Sequence, residues 1–236
     1  MSQETNALDL YARIEDLLGV KEAAPDLYAH YLLTLQNTPF DSLLDVGCGS
    51  GDFIASIQNA FPESAFRGID LSLEMVARSR DQGIDAEVID LCADPGQYGV
   101  ITAVFDMLNY LEPSQLKRFG KCVREHLMDG GYFLSDINTL YGFEEVAVGS
   151  FIAEDDDRFV AIDSDFEAGV YESDFTLFER DGELWHKSAG TIRQYHHTPD
   201  AVKQALGLKQ IDAIPVNLYD DEEADKVFLV FQKTFA

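Results

Sequence analysis

The stretch Ser42-Leu43-Leu44-Asp45-Val46-Gly47-Cys48-Gly49-Ser50-Gly51 decides the fold. A short apolar run closed by an acid reads as a buried strand. The glycines that follow at 47, 49 and 51 let the main chain turn sharply and let a ligand press against backbone atoms. On the C-terminal side a helical stretch runs to about Phe61, and residues 65–70 form a second strand. Ser72 caps a helix to Gln82 with Glu74 in its first turn. Strands follow at 86–89 and 99–105, the latter an unbroken apolar run that predicts burial on both faces. A helix over 113–128 stops at Gly130-Gly131, and residues 132–137 are a fifth strand. Alternating strands and helices imply right-handed crossovers and a parallel sheet covered on both faces.

Upstream, Leu8, Tyr11, Ile14, Leu17 and Leu18 share one helical face, as do Leu27, Tyr28, Tyr31, Leu32 and Leu35. Pro25 fits the start of that second helix, where its missing N–H costs nothing. Downstream, residues 158–196 alternate with period two around an Asp181-Gly182 turn signal, which predicts antiparallel strands. Trp185 and the phenylalanines there are assigned to that unit's own core. Thr198 caps a helix ended by Gly207, and strands at 210–216 and 226–231 complete the pattern. The fold class is α/β: a Rossmann-like, doubly wound, mostly parallel seven-stranded sheet with an inserted antiparallel β subdomain. The organisation is a helical cap over 1–38, a core over 39–145, the insertion over 146–197 and a completion of the core over 198–236.

The chain has 236 residues, 46% hydrophobic and 25% charged, enough for a core without staples. Seventeen Lys+Arg against 43 Asp+Glu give a net charge of −26. Such a surface repels phosphate backbones and anionic headgroups, so neither nucleic acid nor membrane is expected as a partner. Cys48, Cys92 and Cys122 are too few and too scattered for a disulfide framework or a zinc site. No signal peptide or apolar span is visible, and the expected setting is cytoplasmic.

Asp45, Asp70 and Asp90 end the first three strands, 25 and 20 residues apart, about one strand–helix unit each. Each could cap the helix after it; in register with a glycine loop they also suit a ribose-bearing ligand, which open parallel sheets bind at their carboxyl ends. A dinucleotide fingerprint needs G-x-G-x-x-G. Here the third glycine comes one residue early at Gly51, Asp52 takes the sixth place, and Asp45 precedes the loop. Carboxylates on both sides disfavour a pyrophosphate and suit a ligand bearing an ammonium and a sulfonium, as S-adenosylmethionine does.

The segment 43–51 resembles the glycine-rich first motif of class I S-adenosylmethionine-dependent methyltransferases, and Gly68-Ile69-Asp70-Leu71-Ser72-Leu73-Glu74-Met75 resembles their second-strand segment. Val104-Phe105-Asp106-Met107-Leu108-Asn109-Tyr110-Leu111 is similar to the entry into their active-site loop, and Leu127-Met128-Asp129-Gly130-Gly131-Tyr132-Phe133 to the entry into their fifth strand. The layout is similar to a bacterial small-molecule branch that includes amino-sugar N-methyltransferases.

The resemblance implies that Gly47, Cys48, Gly49 and Gly51 form the cofactor loop and that Asp45 orients the methionine ammonium. It implies that Asp70 accepts the ribose hydroxyls, that Leu71 and Met75 pack near the adenine, and that Asp90 and Leu91 read the adenine edge. Phe105 offers its carbonyl to the ammonium, and Tyr11, with Tyr28 and Tyr31, closes over the cofactor. Asp106, Asn109 and Tyr110, with Tyr195, His196 and His197, are candidates near the methyl acceptor. Asp106, Tyr110 and His196 are the catalytic candidates taken forward, and no metal is expected; Asp155-Asp156-Asp157 reads as a solvated loop. The missing N/D-P-P-Y/F tetrapeptide argues against adenine or amide acceptors. The implied activity is methyl transfer to an N or O atom of a small molecule by in-line displacement. An NAD-dependent oxidoreductase and a non-catalytic nucleoside-binding protein are the alternatives, and the oligomeric state, a homodimer included, is left open.

Overall fold

The computed structural model describes residues 3–219 and 222–235. Two helices, α1 (Gln3–Ala12) and α2 (Val20–Gln36), precede the strand β1 (Ser42–Val46). Then come α3 (Asp52–Ile57), β2 (Ala65–Asp70), α4 (Leu73–Asp81), β3 (Ala86–Val88), β4 (Tyr98–Ala103), α5 (Pro113–His126) and β5 (Leu127–Asn138). Four strands follow: β6 (Gly149–Glu154), β7 (Arg158–Glu167), β8 (Val170–Asp181) and β9 (Leu184–Tyr195). The chain returns through α6 (Pro199–Leu206), β10 (Lys209–Val216) and β11 (Lys226–Gln232).

Seven strands form one sheet in the order β10-β11-β5-β4-β1-β2-β3, and β6-β7-β8-β9 form a separate antiparallel sheet. β1 pairs in parallel with both β2 and β4, so the strand order reverses there and opens a crevice at the carboxyl ends. β11 slots antiparallel between β5 and β10. The class read from the sequence is the class observed.

Local chemistry explains most of the element ends. Ser72 Oγ accepts the Met75 N–H at 3.2 Å and Thr198 Oγ1 accepts that of Ala201, so both predicted caps form. Gly207, with φ 58, ends α6. One core layer joins β1, β4, β5 and β11 to α5 and α6 through Ile101, Phe133, Phe231, Val123 and Leu206. The opposite layer packs α2, through Leu27, Tyr31 and Leu35, on Leu43, Val100 and Phe228.

Several readings need correction. Pro25 does not start a helix; α2 begins at Val20 after Gly19, and Pro25 sits inside it. The missing donor there forfeits the bond to the Lys21 carbonyl. β4 ends at Ala103 because the chain turns left-handed at Phe105 and Asp106. Gly130 and Gly131 lie within β5 rather than stopping α5; a Cβ on Gly131 would come 2.7 Å from the Gly99 carbonyl oxygen, so glycine permits close strand approach. The turn between β8 and β9 is Gly182-Glu183, one residue later than read. Trp185 is exposed and carries the Arg180 guanidinium 5.0 Å above its ring, so it is not core. That core is instead Val160, Ile162, Phe175, Leu177 and Ile192, covered by Ala7, Leu10 and Ile14 from the N-terminal segment. Asp155-Asp156-Asp157, by contrast, is the exposed loop expected, in which Asp155 accepts the N–H groups of Asp157 and Arg158 and pairs with the Arg158 guanidinium, which also binds Asp16.

The cysteines also depart from the expectation: Cys92 and Cys122 form a disulfide, and Cys48 is free and buried. The bridge ties the short turn after β3 to α5. Among the described residues no helix is long and apolar enough to cross a membrane.

Candidate active site

A cleft of about 1510 Å³ runs along the carboxyl ends of β1 to β4, walled on one side by α1 and α2. A second cavity of about 480 Å³ opens beside it, between the cleft and the antiparallel sheet. Tyr11, Asp106, Tyr110 and Ile192 belong to both walls, so the two spaces communicate there.

The glycine loop forms the floor. Gly49 N–H donates to Asp70 Oδ2 at 3.0 Å and Ser72 N–H to Asp70 Oδ1 at 2.8 Å, which pins the loop to the end of β2. The Leu71 N–H is a third backbone partner, so three of the carboxylate's acceptor sites hold the loop and one is left for a ligand. Burial raises the Asp70 carboxyl above its ordinary range. Gly47 has φ 73, and a Cβ there would come 2.7 Å from Met107 Cγ; a Cβ on Gly49 would meet nothing within 4 Å and would project into open space. Gly51 does not line the cleft. Its missing side chain makes room for Ser79, whose Oγ would lie 2.6 Å from a Cβ, so its role is packing under α3. Cys48 packs inward with Val76 and Ala86, and burial pushes its thiol up.

Asp45, 1% exposed, accepts from Thr102 Oγ1 at 2.7 Å. Burial pushes its carboxyl up to about 7, against the Thr102 hydrogen bond. It has no cationic partner among its described contacts, which is why burial favours its neutral form. Leu71 is exposed toward the cleft and Met75 lies behind it. Asp90 Oδ1 accepts the Cys92 N–H at 2.8 Å and Arg118 Nη2 at 3.4 Å, so this acid caps its turn as well as lining the cleft beside Leu91.

The fourth wall is the turn after β4. Phe105 and Asp106 take φ 54 and 49 without being glycine, which costs roughly 1–2 kcal/mol each. Asp136 offsets the strain: Oδ1 accepts the Phe105 N–H and Oδ2 the Asp106 N–H, each at 2.8 Å. Asp136 is fully buried and also accepts the Tyr31 hydroxyl at 2.7 Å. Lys226, 1% exposed, reaches Asp106 Oδ1 at 2.5 Å, Asn138 Oδ1 at 2.7 Å and Asp136 Oδ2 at 3.2 Å. Burial alone would lower this ammonium's pKa; the charges of Asp106 and Asp136 outweigh it and leave it raised. Gln194 Nε2 donates to the other Asp106 oxygen at 2.5 Å.

Tyr11 and Tyr110 face both spaces, and burial holds both phenols above their ordinary range. Tyr28 lines the cleft against Phe53 and Phe105, whereas Tyr31 lies beneath it on Asp136. Asn109 is spent in the scaffold, donating to the Tyr195 carbonyl and accepting the Asn138 N–H. His196 is not brought to either cavity. Tyr195 faces the cleft, so the next side chain points away, and His196 packs edge-on to Phe143. His197 is buried on the Leu111 carbonyl at 2.8 Å. Sequence reasoning missed Asp136, Lys226 and Gln194; an acid inside the apolar strand 132–137 and a lysine opening the last strand were the available signals.

Residues 43–131 match the family described as methyltransferase domain. A tRNA (guanine-N(7)-)-methyltransferase from Clostridium acetobutylicum is 38% identical over 63 residues, 27% of this chain, and the matched part is 30% of that protein's length. The fold is similar to a S-adenosylmethionine-dependent methyltransferase from Clostridium acetobutylicum, with TM-score 0.77 and 23% identity over 97% of this chain and all of that one. It is also similar to a sugar N-methyltransferase from Streptoalloteichus, with TM-score 0.77 and 16% identity over 97% and 93% of the two chains. An amino pentose methyltransferase from Micromonospora echinaspora gives 0.64 and 20% over 99% and 92%. The glycine loop and the strand-end acids thus lie within or beside a segment that matches the methyltransferase domain, and the chain as a whole shares its fold with S-adenosylmethionine-dependent methyltransferases.

Proposed function

We propose that this chain transfers a methyl group from S-adenosylmethionine to an amine nitrogen of a small molecule bound in the 480 Å³ cavity. The observation that carries this reading is the shared wall: Asp106 and Tyr110 stand where the cofactor cleft opens into the second cavity. Among the described residues no lysine or arginine lines that cavity, whose polar groups are Asp106, Gln194 and the hydroxyls of Tyr11, Tyr110, Ser150, Ser164, Tyr171 and Ser173. A neutral or cationic hydroxylated acceptor suits such a lining, and a polyanion does not. The net charge of −26 points the same way, so the tRNA substrate of the partly matching relative is not carried over.

The residues fit the cofactor. The uncompensated Asp45 carboxyl and the open space above Gly49 receive the methionine end, while Asp70 has an acceptor site left for the ribose. When bound, S-adenosylmethionine supplies an electrophilic methyl on a positively charged sulfur, which an amine lone pair takes as the carbon–sulfur bond breaks. What the chain adds is position: Asp106, held by Lys226 and Gln194, accepts a hydrogen bond from the amine and aims it at the cleft. Tyr110 shields the contact from water, and its raised pKa makes it a donor rather than a base. The amine reaches its reactive form by losing a proton to solvent.

Production of S-adenosylhomocysteine over a panel of amines, sugars and carboxylic acids tests this. Turnover confined to hydroxylated amines is expected. Turnover on acids alone contradicts the reading, and tight cofactor binding with silence across the panel favours a non-catalytic binding protein.

A further inference from the structure

We propose that Asp136, braced by Lys226 and Tyr31, is a positioning residue that turns the Phe105 carbonyl toward the methionine end of the cleft. The proposal rests on the methyltransferase reading above. Phe105 and Asp106 hold consecutive left-handed conformations without being glycine, so something outside the turn must hold them there. Asp136 does so by accepting both main-chain N–H groups, one per oxygen. The Phe105–Asp106 peptide is trans. In a trans peptide the N–H and C=O point in opposite directions. The Phe105 carbonyl therefore points away from Asp136, and Phe105 is a lining residue of the cleft.

The brace is closed on every side. Asp136 is fully buried, with Tyr31 donating to Oδ1 and the Lys226 ammonium 3.2 Å from Oδ2. Lys226 in turn donates to Asp106 and Asn138 while forming an ion pair with Asp136. Nothing in this set touches the cleft directly except Asp106, so Asp136 acts through the backbone it holds. A carbonyl dipole fixed in this way, on the same cleft as the buried Asp45 carboxyl, recognises an ammonium and is indifferent to a nucleoside.

Calorimetric titration with S-adenosylhomocysteine and with 5′-methylthioadenosine, which lacks the amino-acid end, separates these contributions. The Asp136→Asn variant is expected to bind S-adenosylhomocysteine at least about tenfold more weakly and 5′-methylthioadenosine within about twofold of wild type, since only the ammonium contact is disturbed. Should that variant not fold, Tyr31→Phe removes one donor to Asp136 and is expected to shift the affinity ratio in the same direction by about threefold. Equal losses for both ligands, or an unchanged ratio in a folded variant, overturn the proposal. Wild-type protein that takes up neither ligand overturns the methyltransferase reading and this inference with it.

Discussion

The Lys226 ammonium meets Asp106 Oδ1 at 2.5 Å although 120 residues separate the two in sequence. The pair joins β11 to the turn where the two cavities meet, so that strand braces the shared wall. Its balance is uneven: one buried ammonium serves two carboxylates, Asp106 and Asp136.

Removing that ammonium leaves both acids uncompensated. Lys226→Met is predicted to destabilise the fold by about 3–5 kcal/mol in urea denaturation, the usual range for breaking a buried pair. Adding Asp106→Asn is predicted to restore part of the loss. A single variant within about 1 kcal/mol of wild type would show that the network carries little of the fold's stability.

Asp45 gives a pH signature. Its folded carboxyl is raised to about 7, above the ordinary 3.8, so its protonation favours folding fully below the unfolded value. That contribution is lost as pH rises through about 7, and Asp45→Asn is predicted to remove the loss. Binding runs the opposite way, because an ammonium prefers the ionised acid. Affinity for S-adenosylhomocysteine is predicted to fall about tenfold from pH 8 to pH 6, and Asp45→Asn to flatten the profile. A wild-type profile already flat over this window removes Asp45 from the ligand's recognition.

Gly49 and Gly51 separate binding from folding. Gly49→Val faces open space and adds only left-handed strain of roughly 1–2 kcal/mol, so the variant is predicted to fold and to lose S-adenosylhomocysteine binding. Gly51→Val collides with Ser79 and Ile84 and is predicted to destabilise by about 3 kcal/mol or more. Thermal melts and titrations on the two proteins check this, and a Gly49→Val protein that binds normally places the ligand elsewhere.

The Cys92–Cys122 bridge predicts a thiol count. Protein unfolded without reductant should release one titratable thiol, Cys48, and all three after reduction. Cys122→Ser should cost about 3–4 kcal/mol, given the 30-residue separation of the bridged cysteines. Three thiols without reduction would contradict the pairing.

Much of this was legible in the sequence because it is local. The glycine loop, the caps at Ser72 and Thr198 and the strand-end acids declare themselves within a few residues, and the strand alternation gives the sheet. What escaped is long-range. Nothing near Asp136 or Lys226 says that residues far apart will share one buried charge cluster, and a cysteine pair 30 residues apart has no local pattern. The Ala168-Gly169 turn between β7 and β8 was missed because alanine, at φ 53, occupies a place where Asn or Asp is the usual signal. β6 was missed because it is short and mostly exposed, with no alternation of burial to betray it.

On this reading the crevice past β1 and β4 takes a ligand with an adenosine at one end and an ammonium at the other. Titration of the purified chain with S-adenosylhomocysteine, with NADH in parallel, tests it most directly. Saturable one-to-one binding of the first, abolished by Gly49→Val and weakened by Asp70→Ala, is expected, and none of the second. Binding of NADH with no uptake of S-adenosylhomocysteine would contradict it.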